Sequence, residues 1–219
     1  MTARAVRIAA GLLTLACLAV PLRAAAQDPP KPIGPFVVDV RATIPNFTQD
    51  QQLADSRGLA TTDLPGSGLG LDLGAQVYLF TWKAVTFGAG GQITLARASS
   101  SSQTVNGVLV AQAVSERYTA ISPQISFNFG TGAGWSYLSA GIGTSVWSIV
   151  ADGAAPQPGD DERLISINYG GGARWFIKPH VAFTFDVRFY AIDPGTPAFG
   201  FPGSPRTKML IVGAGVSLK

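Results

Sequence analysis

The chain has 219 residues, of which 13 % are charged, 47 % are hydrophobic and 26 are glycine. Soluble domains carry roughly 25 % charge, so this composition argues against a surface that faces water throughout. A single cysteine and a single histidine exclude a disulfide framework and a Cys/His metal centre.

Arg4 and Arg7 precede an apolar run from Ile8 to Leu22, and Ala24, Ala25 and Ala26 stand before Gln27. A basic start, a short apolar middle and a small-residue site are the features of a cleavable secretory signal peptide, assigned to residues 1–26. The run is too short for a spanning helix and contains Pro21. Cys17 offers a lipoprotein variant of the same processing. Loss of Arg4, Arg7 and Arg23 from the 16 basic residues leaves 13, against 13 acidic ones. The mature chain is then near neutral, so its sequence pI of about 9.2 does not point to nucleic acid.

Residues 27–34 form a proline-rich lead-in expected in the periplasm, and residues 35–219 form the remaining domain. Eight alternating segments follow in order: FVVDVRATI, LGLDLGAQVYLF, VTFGAGGQITLA, YTAISPQISFNF, WSYLSAGIGTSVW, ISINYGGGARWF, HVAFTFDVRFY and MLIVGAGVSLK. In each, bulky apolar residues occupy one parity and glycine or polar residues the other, as in a strand with unlike faces. Phe80 falls on the polar face of the second segment, and Met209 and Ile211 on that of the eighth. No interior helix pattern competes with the strands.

The connections alternate. Residues 45–67, 97–113, 151–163 and 193–206 are long; residues 81–84, 130–134 and 177–180 are short. Bacterial outer-membrane barrels have short periplasmic turns and long external loops. The fold class expected is therefore all-β: an eight-stranded antiparallel up-and-down transmembrane barrel. Such a barrel is wide enough only for side chains to fill it. Glycines and paired charges suit that interior, and bulky apolar chains suit lipid. This places Asp39, Arg41, Asp72, Arg174, Asp186 and Arg188 in a structural lumen network, three acids against three bases. Aromatics near the strand ends, Phe36, Trp82, Phe129, Trp135, Trp147, Trp175 and Phe189, suit interfacial girdles.

Ser122 to Gly143 (SPQISFNFGTGAGWSYLSAGIG) resembles the hairpins of small bacterial outer-membrane beta-barrel proteins. Asn168 to Tyr190 looks like the strand–turn–strand unit of the same OmpA-like superfamily. The C-terminus is similar to the family's barrel-assembly signal through Gly213, Val216 and Leu218, and departs from it in ending on Lys219 rather than an aromatic residue. The resemblance implies an outer-membrane location, the barrel-assembly machinery as a partner, and contact with outer-membrane lipid and lipopolysaccharide.

Catalytic chemistry is not expected. His180 lies in a short turn, on the side opposite the outer leaflet where a lipid-modifying enzyme would need it. GDDER, Gly159 to Arg163, reads as a solvated acidic loop in preference to a calcium site. The glycines of GAGG (Gly88 to Gly91) and YGGG (Tyr169 to Gly172) lack the helix that a phosphate loop needs. The sequence thus points to a monomeric barrel without cofactor, metal or nucleic-acid partner. Its role is structural or surface-interacting, through an external ligand held by the long loops. A small-solute pore is the alternative, and a lipid-modifying enzyme ranks below it.

Overall fold

A barrel strand is held by its neighbours, so register decides which side chains meet. The computed structural model describes residues 31–219; the signal peptide, Cys17 and the first part of the lead-in lie outside them. Eight strands close the barrel: β1 (Phe36–Asn46), β2 (Leu69–Trp82), β3 (Val85–Ser99), β6 (Val114–Thr131), β7 (Gly134–Ala151), β8 (Arg163–Lys178), β9 (Val181–Ile192) and β10 (Thr207–Leu218). Each pairs antiparallel with its sequence neighbour, and β1 pairs with β10 to leave no open edge. The short strands β4 (Gln103–Val105) and β5 (Val108–Ala111) form a separate hairpin between β3 and β6.

Burial alternates with a period of two along β1, where Asp39, Arg41 and Thr43 point inward and Val38, Val40 and Ile44 outward. The same holds in β9: Phe183, Phe185 and Phe189 point outward, while Thr184, Asp186 and Arg188 are buried. β2 departs at one place. A register shift between Tyr78 and Phe80 turns the end of the strand, so Phe80 faces outward rather than into the lumen. An extra residue in one strand reverses the parity of everything beyond it.

Two features differ from the expected pattern. Five of the seven proposed girdle aromatics point outward, but Trp135 and Trp147 are only 3 % and 2 % exposed. They share the odd parity of Ser139 and Ser145 in β7, and that parity faces the lumen. The segment after β1 also contains a helix, α1 (Gln51–Arg57), where no helix was expected. Asp50 caps it by accepting from the Gln52 and Leu53 amides, and Gly58 closes it at φ 68° in the left-handed region. Among the described residues, no helix is long and apolar enough to cross a membrane.

α1 is tucked into the mouth on the long-loop side. Phe47, Leu53 and Leu64 pack there against Trp147, Tyr190 and Met209 in one buried cluster. Met209 and Ile211 thus belong to an apolar cap that needs them inside. At the opposite mouth, Ile33 of the lead-in packs with Val37, Tyr78 and Trp135, and Trp135 stacks on Phe176 at 5.0 Å between ring centroids. β6 and β7 run to 18 residues each. A tilted strand needs roughly 9–11 residues to span a bilayer, so the wall continues well past it.

The outward position of Phe185, near the middle of β9, makes it a probe of the apolar belt. Phe185→Arg should cost about 2–4 kcal/mol of stability in lipid vesicles, measured by denaturant unfolding. A change near zero would mean that Phe185 does not face hydrocarbon.

Candidate functional site

The interior between the two caps is polar, and register builds it. Arg41 lies directly opposite Asp72 across β1 and β2, and its Nη2 reaches Asp72 Oδ2 at 3.2 Å. Asp39 lies opposite Ser217 of β10, whose hydroxyl donates to it. Arg174 comes from β8, which β10 and β9 separate from β1. Its Nε and Nη2 donate to the two oxygens of Asp39 at 3.0 and 2.6 Å. This bidentate fork is the strongest geometry available to the pair. The same Asp39 Oδ2 lies 3.2 Å from Arg41 Nη1.

Asp186 and Arg188 sit on one face of β9 and pair with each other at 3.1 and 3.2 Å. Arg188 donates further to Asn168 Oδ1 at 2.9 Å and to Ser139 Oγ at 2.7 Å. Tyr137 links the two groups. It donates to Asp186 at 2.7 Å and accepts from Arg41 at 3.3 Å, and the Arg174 guanidinium lies 4.1 Å from its ring centroid. All six charges named from the sequence therefore occupy one connected cluster, each buried to 3 % exposure or less.

Glycine makes one of these links possible. Tyr137, Gly172 and Asp186 stand in a row across β7, β8 and β9. A Cβ on Gly172 would come within 2.7 Å of the Tyr137 hydroxyl, so the tyrosine can cross β8 to Asp186 only over a residue without a side chain. On the far side of the lumen, Gln92 donates to Asp72, Gln124 donates to Gln92 and Asn168, and Asn168 donates to Ser122. Buried polar groups of this kind are tolerated when they are hydrogen-bonded and paired.

A second buried polar centre joins the loops and has no counterpart in the sequence reading. Arg57, at the end of α1, donates through Nε to Asp160 Oδ1 at 3.2 Å and through Nη2 to Ser204 Oγ at 2.8 Å. Asp160 also accepts from the amides of Ile149 and Gln157. The GDDER loop is therefore not simply solvated: Asp160 is 1 % exposed and engaged by Arg57, although Asp161 is exposed. The signal that could have found it is the polar spacing at Asp50 and Gly58, which marks a helix ending on Arg57. Glu116 was missed as well. It is buried in the cap and accepts from Trp147 Nε1 at 2.7 Å.

The remaining singled-out residues are dispersed. His180 is exposed in the short turn between β8 and β9, with Nδ1 3.0 Å from the Lys219 carbonyl oxygen. Gly213 faces the lumen, and Val216 and Leu218 point outward. Gly88, Gly90, Gly170 and Gly172 lie on the lumen parity of their strands, and among the described residues no group of three or more His, Cys, Asp or Glu side chains could hold a metal.

A family described as "Outer membrane protein beta-barrel domain" matches residues 10–217. The chain belongs to this family. Its location is the bacterial outer membrane, with the strands crossing the bilayer. Neisserial surface protein A is similar in fold, at a TM-score of 0.51 and 15 % identity, over 84 % of this chain and 96 % of that one. Ail, the attachment invasion locus protein of Yersinia pestis, is similar at 0.51 and 13 %, over 85 % and 99 %. No curated protein sequence matches the chain. The long connections and the α1 cap lie at one mouth of the barrel, and Ile33 and Trp135 close the other.

Removing one partner of a buried ion pair costs about 3–5 kcal/mol, because the other charge stays buried. Asp39→Ala, which strands Arg174 and leaves Arg41 with Asp72 as its one carboxylate partner, should lose at least this much in vesicle unfolding. Adding Arg174→Met should recover part of the loss. Strictly additive losses would show that the Asp39–Arg174 fork is not coupled.

Proposed function

We propose that this barrel is a closed, non-conducting and non-catalytic envelope protein that acts through its external surface. The observation that carries the reading is the filling of the lumen from end to end. The α1 cap, the cross-braced charges and the Ile33–Trp135 floor follow one another along the lumen. A solute would have to displace side chains already paired with one another. Interaction with partners is then left to the outside.

The loops offer suitable material. The β4–β5 hairpin turns at Asn106 and Gly107, both with positive φ, and leaves Val105, Val108, Leu109 and Val110 exposed. Phe199 in the β9–β10 loop is 92 % exposed. Apolar tips held in water on a rigid scaffold suit a partner with an apolar face. Gly213, Val216 and Leu218 serve, in this reading, as the residues recognised by the barrel-assembly machinery, and the folded barrel acts as a monomer. The lumen charges act structurally, bracing the wall.

Purified protein in planar bilayers should give no single-channel steps. Steps abolished by Arg188→Ala would replace this reading with a pore. Cells displaying the protein should adhere to immobilised protein or to one another more than cells displaying Val108→Ser, Leu109→Ser and Phe199→Ser together. Equal adherence at equal surface display would remove the apolar tips from the account.

A further inference from the structure

The connection between β3 and β6 differs from the other long connections in charge. From Ala98 to Val114 it contains no charged residue and no proline. Residues 45–67 and residues 151–163 are both net acidic, so copies of them repel one another, whereas copies of the β3–β6 connection do not. The β4–β5 hairpin in this connection stands clear of the rim, with every residue from 101 to 110 exposed. Its base is fixed by Asp63 and Ser100. Asp63 accepts from the Gln112 amide at 2.9 Å, and Ser100 Oγ donates to the Asp63 carbonyl oxygen at 2.6 Å and accepts from the Val114 amide at 3.1 Å.

The hairpin is a two-stranded sheet, and neither β4 nor β5 has a third strand beside it. Val105 pairs with Val108 across the turn at Asn106 and Gly107, and Thr104 pairs with Leu109. The pair that closes a two-residue turn exchanges hydrogen bonds, and in an antiparallel ladder the next pair does not. The Leu109 amide and carbonyl therefore point away from β4, toward the free edge. Natural sheet edges are usually blunted by lysine or proline. This one is Val108-Leu109-Val110, apolar and high in strand propensity. A register shift leaves Val110 without a partner on β4, so the regular edge is confined to the residues around Leu109.

That edge reads the same in both directions. Antiparallel pairing with a second copy sets Leu109 opposite Leu109 and Val108 opposite Val110, the self-complementary pattern of a two-fold contact. Strand direction fixes where the second copy stands. β5 runs from the hairpin tip back toward the rim, where β6 begins. Two barrels in one membrane thus present β5 in parallel, and two barrels in facing membranes present it antiparallel. We infer, from the reading that the barrel acts through its external surface, that β5 is a homophilic docking edge: it pairs with β5 of a second copy of this chain in a facing membrane. So short a ladder holds weakly as a single contact, and many copies on facing surfaces act together. Each barrel remains a monomer within its own membrane.

The test is disulfide trapping between two populations of cells that display the full chain with Cys17→Ala and carry different epitope tags. Folding of each variant is checked by heat-modifiable gel migration. Leu109→Cys should cross-link into dimers that carry both tags, because a hydrogen-bonded pair sets its Cα atoms about 5.5 Å apart, within the span of a disulfide. Val108→Cys lies diagonally from its own copy, at roughly 7–8 Å, and should not cross-link. In chains without cysteine, Leu109→Pro keeps an apolar side chain but removes the outward amide, and should abolish clustering of the cells. Leu109→Thr keeps that amide and should retain clustering. Dimers of one tag only, equal cross-linking by Val108→Cys, or clustering that survives Leu109→Pro would overturn the docking edge. A membrane-impermeant maleimide separates that failure from failure of the external reading. Leu109→Cys that is labelled on intact cells yet forms no dimers overturns self-pairing and leaves the external reading standing; Leu109→Cys that stays unlabelled overturns both.

Discussion

The bilayer interior supplies no water, so every backbone N–H and C=O that crosses it must find its partner within the protein. A sheet meets that demand only by closing, and closure here joins β1 to β10 over nine paired residues. Eight strands then enclose a space narrow enough that it must be filled by side chains. The remaining architecture follows from how that space is filled. The wall's inner face carries polar groups, so the filling is a network in which carboxylates, guanidiniums, amides and hydroxyls hydrogen-bond to one another. The arrangement is cross-braced: the Arg174–Asp39 and Tyr137–Asp186 bonds tie strands that are not neighbours in the sheet.

The lumen is not uniform along its axis. Its middle is charged, and both mouths are apolar. The cap on the long-loop side takes its residues from Phe47 just beyond β1, α1, the loop after it and the ends of β3 and β6 to β10, and Arg57 pins it to the neighbouring loops through Asp160 and Ser204. Three of the four long connections therefore share one buried polar centre. A cap of this kind leaves the β4–β5 hairpin and the Phe199 tip as prominent exposed apolar surfaces among the long connections. It also separates the role of the loops near the mouth, which is closure, from that of the projecting tips.

The strands were legible because a period of two is a strong pattern, and the inner face was legible because glycine and charge crowd one parity. The β7 aromatics show how that reading can slip. Trp135 and Trp147 were sorted by residue type as interfacial, although the parity of Ser139 and Ser145 already put them inside. Phe80 could not have been sorted, since a register shift leaves no mark on alternation. α1 is seven residues long, too short to display a helical period, although its cap at Asp50 and its stop at Gly58 were present. The charges could be gathered onto one face from sequence, but the partner of each could not. Arg174 meets Asp39 through closure and tilt, across 135 residues of chain.

Odd positions of β9 point outward to lipid, and even positions point into the lumen. Single cysteines introduced in turn from Val181 to Ile192 and labelled with a nitroxide measure this directly in lipid vesicles. Odd positions should relax with dissolved oxygen and not with a water-soluble nickel complex, and the small even positions Ala182 and Thr184 should respond weakly to both. Strong nickel accessibility at Ala182 and Thr184 would mean an open aqueous lumen, and oxygen accessibility at the even positions in place of the odd ones would mean that the faces are reversed.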